Sequence, residues 1–370
     1  MKTMWVVLLL LVSMLVGCGK VHNAEGVGGD TIIFRHARNI HVVVHDDYRV
    51  VTLDDPWNEG RSLARYILVN RDDSARVGHL PEGQVLYVPM RRAVVFNTAH
   101  ASLMAMLHAE GALAGVADLR YMLLPWVHER VGRHLVVDCG EAMSPDVERI
   151  VDMGADAVFL SPFENSGGFG RLDNSGIPLV QCAEYMEPTA LARAEWMRFY
   201  GMLWGREHEA DSLFAVVEGE YNKLRDEASL STSHPSMITE KLTGSTWYVA
   251  GGRSTVARLI ADAGGNYPFA ADEHSGSLPL SLEKVLDVAG DADVWVFNTT
   301  SESMSYDLLR QENGGYATIK AFKNKRVYSL NSLKVPYFEE VSFRPDYLLR
   351  EYISVLYGGE TRYYKKLLHL

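Results

Sequence analysis

A helix-strand pattern that occurs twice constrains the fold of this chain more than any other feature of its sequence. The segment DVERIVDMGADAVFL begins at Asp146, and SLEKVLDVAGDADVWVF begins at Ser281. Each reads as a helix N-cap, a helix with a glutamate in its first turn, and an Ala-Asp step into a buried strand. Two generic helix-strand units can resemble each other by chance, but one copy in each half of the chain favours two similar α/β lobes.

The sequence around the two copies indicates alternating strands and helices. From Arg92 onward, short aliphatic runs alternate with helical periods, which is typical of parallel βα units. Between the copies, residues 188–229 carry apolar residues at helical spacing, and Gly201 and Gly205 offer a break or a bend. We expect one or two long helices there, about 30 Å in length, that join the lobes.

The predicted fold class is therefore α/β, with two Rossmann-like lobes joined by a long α-helix and an N-terminal β-rich extension. Without its first residues the chain has about 350 residues, more than one compact core usually holds, which also favours two domains. The predicted segments are a signal peptide (1–18), a tether (19–30), a β-rich segment (31–90), the first lobe (91–187), connecting helices (188–229), the second lobe (230–357) and a tail (358–370).

The first residues indicate export. Lys2 precedes an apolar run from Trp5 to Val16, and Gly17 stands directly before Cys18. This order predicts a secretory signal peptide, which is too short and wrongly flanked to span a membrane. The cysteine placement resembles a bacterial lipobox, in which Cys18 would carry lipid and become the mature N-terminus; an ordinary signal peptide that contains a cysteine is the alternative. We therefore expect the protein in the periplasm or cell envelope, anchored to a membrane by lipid.

Charge and cysteine content limit the partners. The formal net charge of −11 at pH 7 argues against a nucleic-acid partner and against a polybasic membrane surface. After Cys18 the chain contains Cys139 and Cys182. Export would allow a disulfide between them, whereas two free buried thiols are the slightly favoured interpretation.

The common enzyme signatures are absent from the sequence. It has no G-x-S-x-G elbow, P-loop or H-E-x-x-H motif, and GGFGRLD at Gly167 lacks the third glycine of a dinucleotide turn. His36, His41 and His45, with two aspartates that follow, could bind a metal, but an exposed strand edge explains them more simply. We predict no catalytic residues, no metal centre and no resident cofactor, and binding is favoured over catalysis.

Aromatic and polar residues recur directly after predicted strands, where an α/β lobe binds its ligands. Aromatic rings grip planar or macrocyclic ligands, and arginines neutralise anionic ones, although core packing explains any single aromatic equally well. In GSTWYVAGG, Trp247 precedes two glycines that admit close approach, so we expect this ring to line the cleft. The candidate ligand-binding residues are Thr98, His100, Arg120, Tyr121, Phe163, Glu164, Tyr185, Trp247, Tyr248, Tyr337, Phe338 and Arg344.

Together these features resemble the class III periplasmic substrate-binding proteins, the ferric-siderophore, haem and vitamin B12 receptors of ABC importers. The resemblance covers about residues 92–357 and is carried by VVFNTAHASLMAML with AGVAD, DVERIVDMGADAVFL, ARLIADAGGN followed by SLPLSLEKVL, and RVYSLN. A Bacteroidota-like lipoprotein subgroup is similar in CAEYMEPTALARAEWMRFYG, GSTWYVAGG, FRPDYLL and RYYKKL. The β-rich segment 31–90 departs from the shorter members of the family.

The resemblance implies a monomeric receptor that holds its ligand between two lobes and delivers it to a permease driven by a partner ATPase. In such receptors a glutamate near the start of one helix in each lobe docks on permease arginines, and Glu148 and Glu283 stand at those positions. A glutamate in a first helical turn also complements the helix dipole, which is the structural alternative.

The resemblance leaves the ligand open. A ferric siderophore ranks first, because Arg120, Arg171, Arg253 and Arg344 could meet an anionic chelate. Cobalamin ranks second and haem third, with a tyrosine or histidine as axial ligand. Iron or cobalt would arrive with the ligand. Two other classes remain as alternatives: a capture lipoprotein without a permease, which would not need the glutamate pair, and an enzyme acting on a chelate, which would need a titratable cluster in the cleft.

Overall fold

The computed structural model describes residues 29–75, 78–164 and 167–368. Along these ranges lie a β-rich N-terminal sheet, an α/β lobe, a helical connection and a second α/β lobe. The predicted fold class is thereby confirmed. The predicted signal peptide with Cys18, and the tether up to residue 28, lie outside the described residues.

The N-terminal segment forms a five-stranded sheet with the order β1-β2-β3-β4-β5. Its strands are β1 (Asp30–Ile32), β2 (Ile40–Val44), β3 (Tyr48–Asp54), β4 (Ser62–Asn70) and β5 (Gln84–Val88). Neighbours are antiparallel except for the parallel pair β4 and β5. Alternation along β2 and β3 turns Val42, Val51 and Leu53 into the main core, which the sheet shares with both lobes. The extension is therefore a packed layer of the molecule.

Two buried glutamates hold the loop between β1 and β2 against the connecting helices. The carboxylate of Glu195, 0% exposed, accepts the backbone N–H groups of residues 35–37 at 2.7 to 2.9 Å. Glu187, 2% exposed, accepts the N–H groups of residues 38–39 and the indole N–H of Trp196. These bonds satisfy loop amides that have no strand partner, so they fix the extension in place.

The first lobe is built on a parallel sheet with the order β12-β11-β6-β7-β8. Every residue of β6, β7 and β11 is buried, as expected for strands that are covered on both faces. Its elements are β6 (Ala93–Val95), α1 (Thr98–Met106), β7 (Leu113–Val116), α2 (Pro125–Gly132), β8 (Val137–Asp138), the hairpin β9 (Gly140–Glu141) and β10 (Ser144–Pro145), α3 (Val147–Asp152), β11 (Ala157–Leu160) and β12 (Leu179–Gln181).

The connecting segment contains three helices, where the sequence predicted one or two. They are α4 (Ala190–Glu195), α5 (Met197–Trp204) and α6 (Glu207–Ser229). Helix α5 ends at Gly205, whose φ of +65° is the left-handed conformation common at helix C-termini. Gly201 lies inside α5 and does not interrupt the helix. A Cβ at this position would lie 2.6 Å from the Cβ of Ala210, so the glycine allows α6 to pack closely against α5. No helix in the described ranges is long and apolar enough to cross a membrane.

The second lobe combines a mixed sheet with a small antiparallel one. The mixed sheet has the order β13-β17-β18-β19, and in it only β19 is antiparallel to its neighbour. The small antiparallel sheet has the order β14-β15-β16. The predicted tail thus contributes the edge strand β19. The elements are β13 (Met237–Thr239), β14 (Leu242–Thr243), β15 (Thr246–Ala250), α7 (Thr255–Asp262), β16 (Ser277–Leu280), α8 (Leu282–Ala289), β17 (Val294–Thr299), α9 (Tyr306–Glu312), α10 (Lys320–Lys323), β18 (Val327–Asn331), α11 (Tyr337–Glu340), α12 (Pro345–Tyr357) and β19 (Lys365–Lys366).

The repeat in the sequence is an equivalent structural unit in each lobe. Asp146 and Ser281 cap α3 and α8 by accepting a backbone N–H in the first turn, and each helix leads into a buried strand, β11 or β17. Asp156 then accepts two backbone N–H groups just before β6, at 2.7 and 3.0 Å. Asp293 accepts one just before β13, at 2.8 Å. The same carboxylate bond therefore ties neighbouring parallel strands together in both lobes.

The cysteines of the two lobe segments are not bridged. Cys139 and Cys182 are free, buried thiols, and they lie in separate apolar clusters. This agrees with the favoured interpretation of their role as small buried side chains.

Candidate functional site

Two pockets lie at the carboxyl ends of the parallel strands, one in each lobe. The first-lobe pocket has a volume of about 550 Å³ and includes residues that follow β6 and β11. The second-lobe pocket has a volume of about 400 Å³ and includes residues at the ends of β13 and β17. This edge of an α/β sheet is where ligands bind. A further cavity of about 500 Å³, between the N-terminal sheet and the connecting helices, lies away from these strand ends.

The first-lobe pocket is predominantly apolar. Phe163 and Met143 line it and are 50% and 83% exposed, which is unusual for such large apolar side chains. Among its described lining residues the charged one is Arg171, which forms an ion pair with Glu148 at 3.4 Å. An apolar concave surface of this kind suits a flat or bulky organic ligand.

The predicted ligand residue Thr98 joins the two lobes. Its hydroxyl donates to the buried carboxylate of Glu339, in α11, at 2.9 Å, and the same oxygen accepts the backbone N–H of Leu123 at 2.9 Å. Glu339 thus connects the start of α1 with the second lobe. Thr98 does not line the first-lobe pocket, whereas the α1 cap residue Asn97 does.

The second-lobe pocket is lined by aromatic rings and two charged side chains of opposite sign. The charged residues are Arg193, from α4, and Glu240, directly after β13. The aromatic residues are Tyr248, Tyr337, Phe338, Tyr352 and Tyr364. Tyr248, Tyr337 and Phe338 are among the residues predicted from the sequence, and their contact with a ligand stays a prediction.

Arg193 and Glu240 have unsatisfied polar atoms at this pocket. The Nη2 of Arg193 donates to the Ser342 hydroxyl at 2.9 Å, but its buried Nε–H has no partner among the described residues. Burial raises the pKa of Glu240, whose backbone has a left-handed φ of +64°. Unpaired polar atoms and an unusual backbone conformation are both concentrated at binding sites.

The structure contradicts the prediction that Trp247 lines the cleft. The ring is 0% exposed, and its Nε1–H donates to the carbonyl of Thr239 at 3.0 Å. It packs against Trp295 and Tyr316 in the core of the second lobe. Side chains alternate along a strand, so β15 turns Trp247 inward and turns its neighbour Tyr248 to the pocket.

His100 is also a buried residue, not a ligand contact. It is 1% exposed because the first turn of α1 packs into the core. Its Nε2 lies 3.1 Å from the Tyr200 hydroxyl and 3.4 Å from a Glu184 oxygen. Burial alone would lower the pKa of His100, but Cys182 and Glu184 raise it to about 10. His100, Cys182 and Glu184 place their ligand atoms within 4.8 Å of one another, a set that could hold a metal, and neither pocket includes them.

Three further candidates are already engaged with neighbouring protein groups. Arg120 pairs with Glu141 at 3.1 Å and stacks over the exposed ring of Tyr121 at 4.6 Å. The hydroxyl of Tyr185 donates to the carbonyl of Pro162. None of these side chains lines either pocket.

Three other charged candidates lie at the surface or in local ion pairs. Arg344 pairs with Asp346 at 2.6 Å, Arg253 pairs with an acidic neighbour at 3.1 Å, and Glu164 is exposed beside undescribed residues. Neither pocket includes them. An arginine after a strand is therefore a weak indicator of an anion site in this chain, because local acidic partners take most of these guanidinium groups.

Sequence reasoning missed several lining residues of the second-lobe pocket. Glu240 follows β13 directly and could have been found by the strand-end rule that identified its neighbours. Arg193 and Tyr352 lie on α4 and α12, and Tyr364 precedes β19. No local pattern indicates which helical side chains reach a pocket, since tertiary packing decides it.

The two predicted docking glutamates occupy equivalent and accessible positions. Glu148 is the second residue of α3 and Glu283 the second residue of α8. The side chain of Glu148 is 82% exposed, and Glu283 is exposed as well. The backbone N–H of Glu283 and the Ser281 hydroxyl lower the pKa of its carboxyl. A partner surface can reach both carboxylates.

Residues 94–333 match the profile of a protein family described as periplasmic binding protein. The match begins in β6 and ends after β18, so it covers the first lobe and most of the second and leaves out the N-terminal sheet. An uncharacterized lipoprotein of Methanocaldococcus jannaschii is 24% identical over 364 residues, covering 91% of this chain and 86% of the relative. A second uncharacterized lipoprotein of that organism is 25% identical over 294 residues, 74% of this chain and 73% of the relative.

Solved structures show the same fold. A periplasmic heme binding protein from Pseudomonas aeruginosa is similar with a TM-score of 0.59 and 16% identity, covering 75% of this chain and 98% of that one. An ABC-type Fe3+-hydroxamate transport system from Saccharomonospora viridis is similar with a TM-score of 0.54 and 19% identity, covering 73% and 94%.

Proposed function

The chain belongs to the periplasmic binding protein family, and we propose that it is a lipid-anchored receptor that captures a ferric siderophore between its lobes and delivers it to an ABC permease. The observation that carries this proposal is the pair of pockets at equivalent strand ends, each with exposed apolar or aromatic side chains. A ligand held between two such surfaces would bury both at once. Tight binding of an organic chelate needs this combination of large apolar contact and a few oriented polar groups.

The chemistry of the pockets agrees with an organic ligand that already holds its metal. The first-lobe pocket offers mostly apolar contact, and the second offers rings with one cationic and one acidic group. The similar structures include proteins described as binding heme and transporting an Fe3+-hydroxamate. These descriptions support the iron-chelate class over cobalamin, for which the described pocket residues offer no specific feature.

Haem is the second candidate ligand, and one observation favours it. The ring of Tyr248 is 48% exposed at the second-lobe pocket. A tyrosine can serve as axial ligand to haem iron. A haem-bound protein would differ from a siderophore-bound one in its absorption spectrum, so the two candidates are separable by experiment.

The proposal assigns no catalytic role to the chain. An enzyme acting on a chelate would need titratable groups that reach the ligand. Among the described residues, the cluster with the required residue types, His100 with Cys182 and Glu184, is fully buried, and its histidine and carboxylate already face each other at 3.4 Å. The carboxyl that does line a pocket, that of Glu240, is assigned a role in binding.

Reversing the charge of the docking glutamates should abolish transport without affecting capture. In the double variant Glu148→Arg and Glu283→Arg, attraction to permease arginines becomes repulsion, and we expect uptake to fall by about tenfold or more. Ligand affinity should change much less than uptake, because neither glutamate lines either pocket, and Glu148 reaches the first-lobe pocket only through its exposed ion pair with Arg171. Uptake of labelled chelate in a strain that lacks the native receptor measures the effect.

The matched control is Glu129→Arg with Glu312→Arg, which reverses one helical carboxylate in each lobe at positions away from the repeat. These substitutions should leave uptake near the wild-type rate. Wild-type uptake by the Glu148/Glu283 double variant, at normal expression, would exclude docking through these residues. It would favour a capture lipoprotein that works without a permease.

Replacing Cys18 by alanine should release the protein from the membrane. The lipid is the proposed anchor, and no described helix could replace it. The variant should lose labelling by a fatty-acid analogue and appear in the soluble fraction, with its ligand affinity retained. A Cys18→Ala protein that remains acylated and membrane-bound would refute the lipobox assignment.

A further inference from the structure

The second-lobe pocket contains a carboxyl group that has no partner among the residues that the structure describes. Glu240 lines the pocket, and burial is the sole cause that raises its pKa. Among the described residues, neither of its carboxylate oxygens takes part in a hydrogen bond or an ion pair. Glu240 is partly buried, and a carboxylate that is partly withdrawn from water without a donor loses part of its solvation free energy. A ligand that brings a positive charge to this position would recover that cost.

The backbone of Glu240 is held in place by the strand beside it. Its N–H donates to the carbonyl of Val296 at 2.9 Å, and its carbonyl accepts the indole N–H of Trp295 at 2.6 Å. Both partners lie in β17. These bonds maintain the left-handed φ of +64°, a conformation that is uncommon for residues other than glycine. The protein thus supports an unfavourable conformation that brings this carboxyl to the pocket.

Aromatic rings line the same pocket as this carboxyl. Burial, with the charge of Glu240 among the further causes, raises the pKa of Tyr337, Tyr352 and Tyr364, so these rings lie within electrostatic range of it. Tyr248 completes the lining from β15. The faces of aromatic rings attract cations, and an aromatic cage with a carboxylate is a favourable site for an ammonium group.

Arg193 does not neutralise Glu240. Burial alone would raise the pKa of Glu184, but His100 and Arg193 lower it to about 2, so Glu184 offsets the charge of Arg193. Among the described residues, no cation contributes to the pKa shift of Glu240. The buried Nε–H of Arg193 lacks an acceptor among the described residues and can donate to a ligand oxygen.

We propose that the second-lobe pocket binds an ammonium group of the cargo, with the cation on the carboxylate of Glu240 inside the tyrosine lining and a neighbouring ligand oxygen on Arg193. This inference rests on the proposed function and narrows its ligand class to chelates that carry a free amine. Glu240 is then a specificity-determining residue, since a neutral or anionic chelate of the same shape would leave its carboxylate unpaired.

The first experiment tests the pocket without any metal. Binding of n-pentylammonium and of the neutral n-pentanol is measured by isothermal titration in the wild-type protein, in Glu240→Gln and in the control Glu302→Gln, which removes an exposed charge of the same lobe. Wild type and control should prefer the ammonium by about tenfold, and Glu240→Gln should lose the preference. No preference in the wild type, or an equal one in a folded Glu240→Gln protein, would overturn the inference.

The second experiment separates this inference from the proposed function. The probes are ferrioxamine B, a ferric trihydroxamate that ends in a primary ammonium, and its N-acetylated form, which lacks the charge. Weaker binding of the first by Glu240→Gln, with the acetylated form unaffected, supports both proposals. Equal binding of the two by the wild type refutes the ammonium site and retains the chelate receptor. If the wild type binds neither probe, a trihydroxamate cargo is contradicted. The alkylammonium experiment alone then decides the inference about the ammonium site.

Discussion

Replacing Trp247 by alanine should lower the free energy of unfolding by about 3–5 kcal/mol, the usual cost of removing a large buried aromatic side chain. The ring is 0% exposed and contacts Trp295 and Tyr316, so its removal leaves a cavity in the second lobe. It also leaves the carbonyl of Thr239 without its indole donor. Urea unfolding followed by circular dichroism measures the change.

The neighbouring substitution Tyr248→Ala is the matched control, because it removes a ring from the same strand. Tyr248 is 48% exposed at the pocket, so stability should change by less than about 1 kcal/mol. Ligand affinity should instead fall by about tenfold, or 1.4 kcal/mol. The reverse pattern, with Trp247→Ala stable and Tyr248→Ala unfolded, would contradict the orientation of β15.

Glu195→Ala should have a comparably large effect on a different part of the molecule. It removes the acceptor of three consecutive backbone N–H groups, residues 35–37, and one partner of Arg198, which keeps its ion pair with Asp211 at 2.7 Å. Three backbone donors that lose their acceptor together cost about 3–5 kcal/mol. The loop between β1 and β2 should exchange its amide hydrogens faster, which hydrogen-exchange mass spectrometry detects at the level of peptides.

An exposed glutamate on the neighbouring helix supplies the control for charge. Glu220 pairs with Arg350 at 3.3 Å at the surface, so Glu220→Ala should change stability by less than about 1 kcal/mol. Unchanged exchange of the loop in Glu195→Ala would show that other acceptors or water replace the carboxylate. The N-terminal sheet would then be held by its apolar face alone.

The fold was predictable because its signals are local. The repeat contains an N-cap, a helix period and a buried strand within a few residues, and the structure uses Asp146 and Ser281 as those caps. The docking of the N-terminal sheet against the connecting helices was not predictable, since Glu195 and the amides it binds are about 160 residues apart in sequence. No periodicity in the sequence indicates a hydrogen bond between a carboxylate and distant backbone amides.

The candidate site was predictable in location and less so in identity. Strand ends indicated where ligands approach, and Tyr248 and Phe338 line a pocket there. The prediction for Trp247 was wrong because a strand end does not reveal on which face of the sheet each side chain lies. A shift of one residue along a strand moves a side chain from the surface into the core. Arg193 was missed because a helix side chain reaches a pocket only through tertiary packing.

The measurement that tests the central claim most directly is the absorption spectrum of the protein purified natively from its own host, followed by titration with chelates. A ferric siderophore, a corrinoid and haem absorb at different wavelengths, so a bound cargo identifies its class. The account predicts a ferric-chelate band, or a colourless protein whose tryptophan fluorescence is quenched by a ferric siderophore at about micromolar concentration. A colourless protein that ferric siderophore, corrinoid and haem all leave unquenched would contradict it.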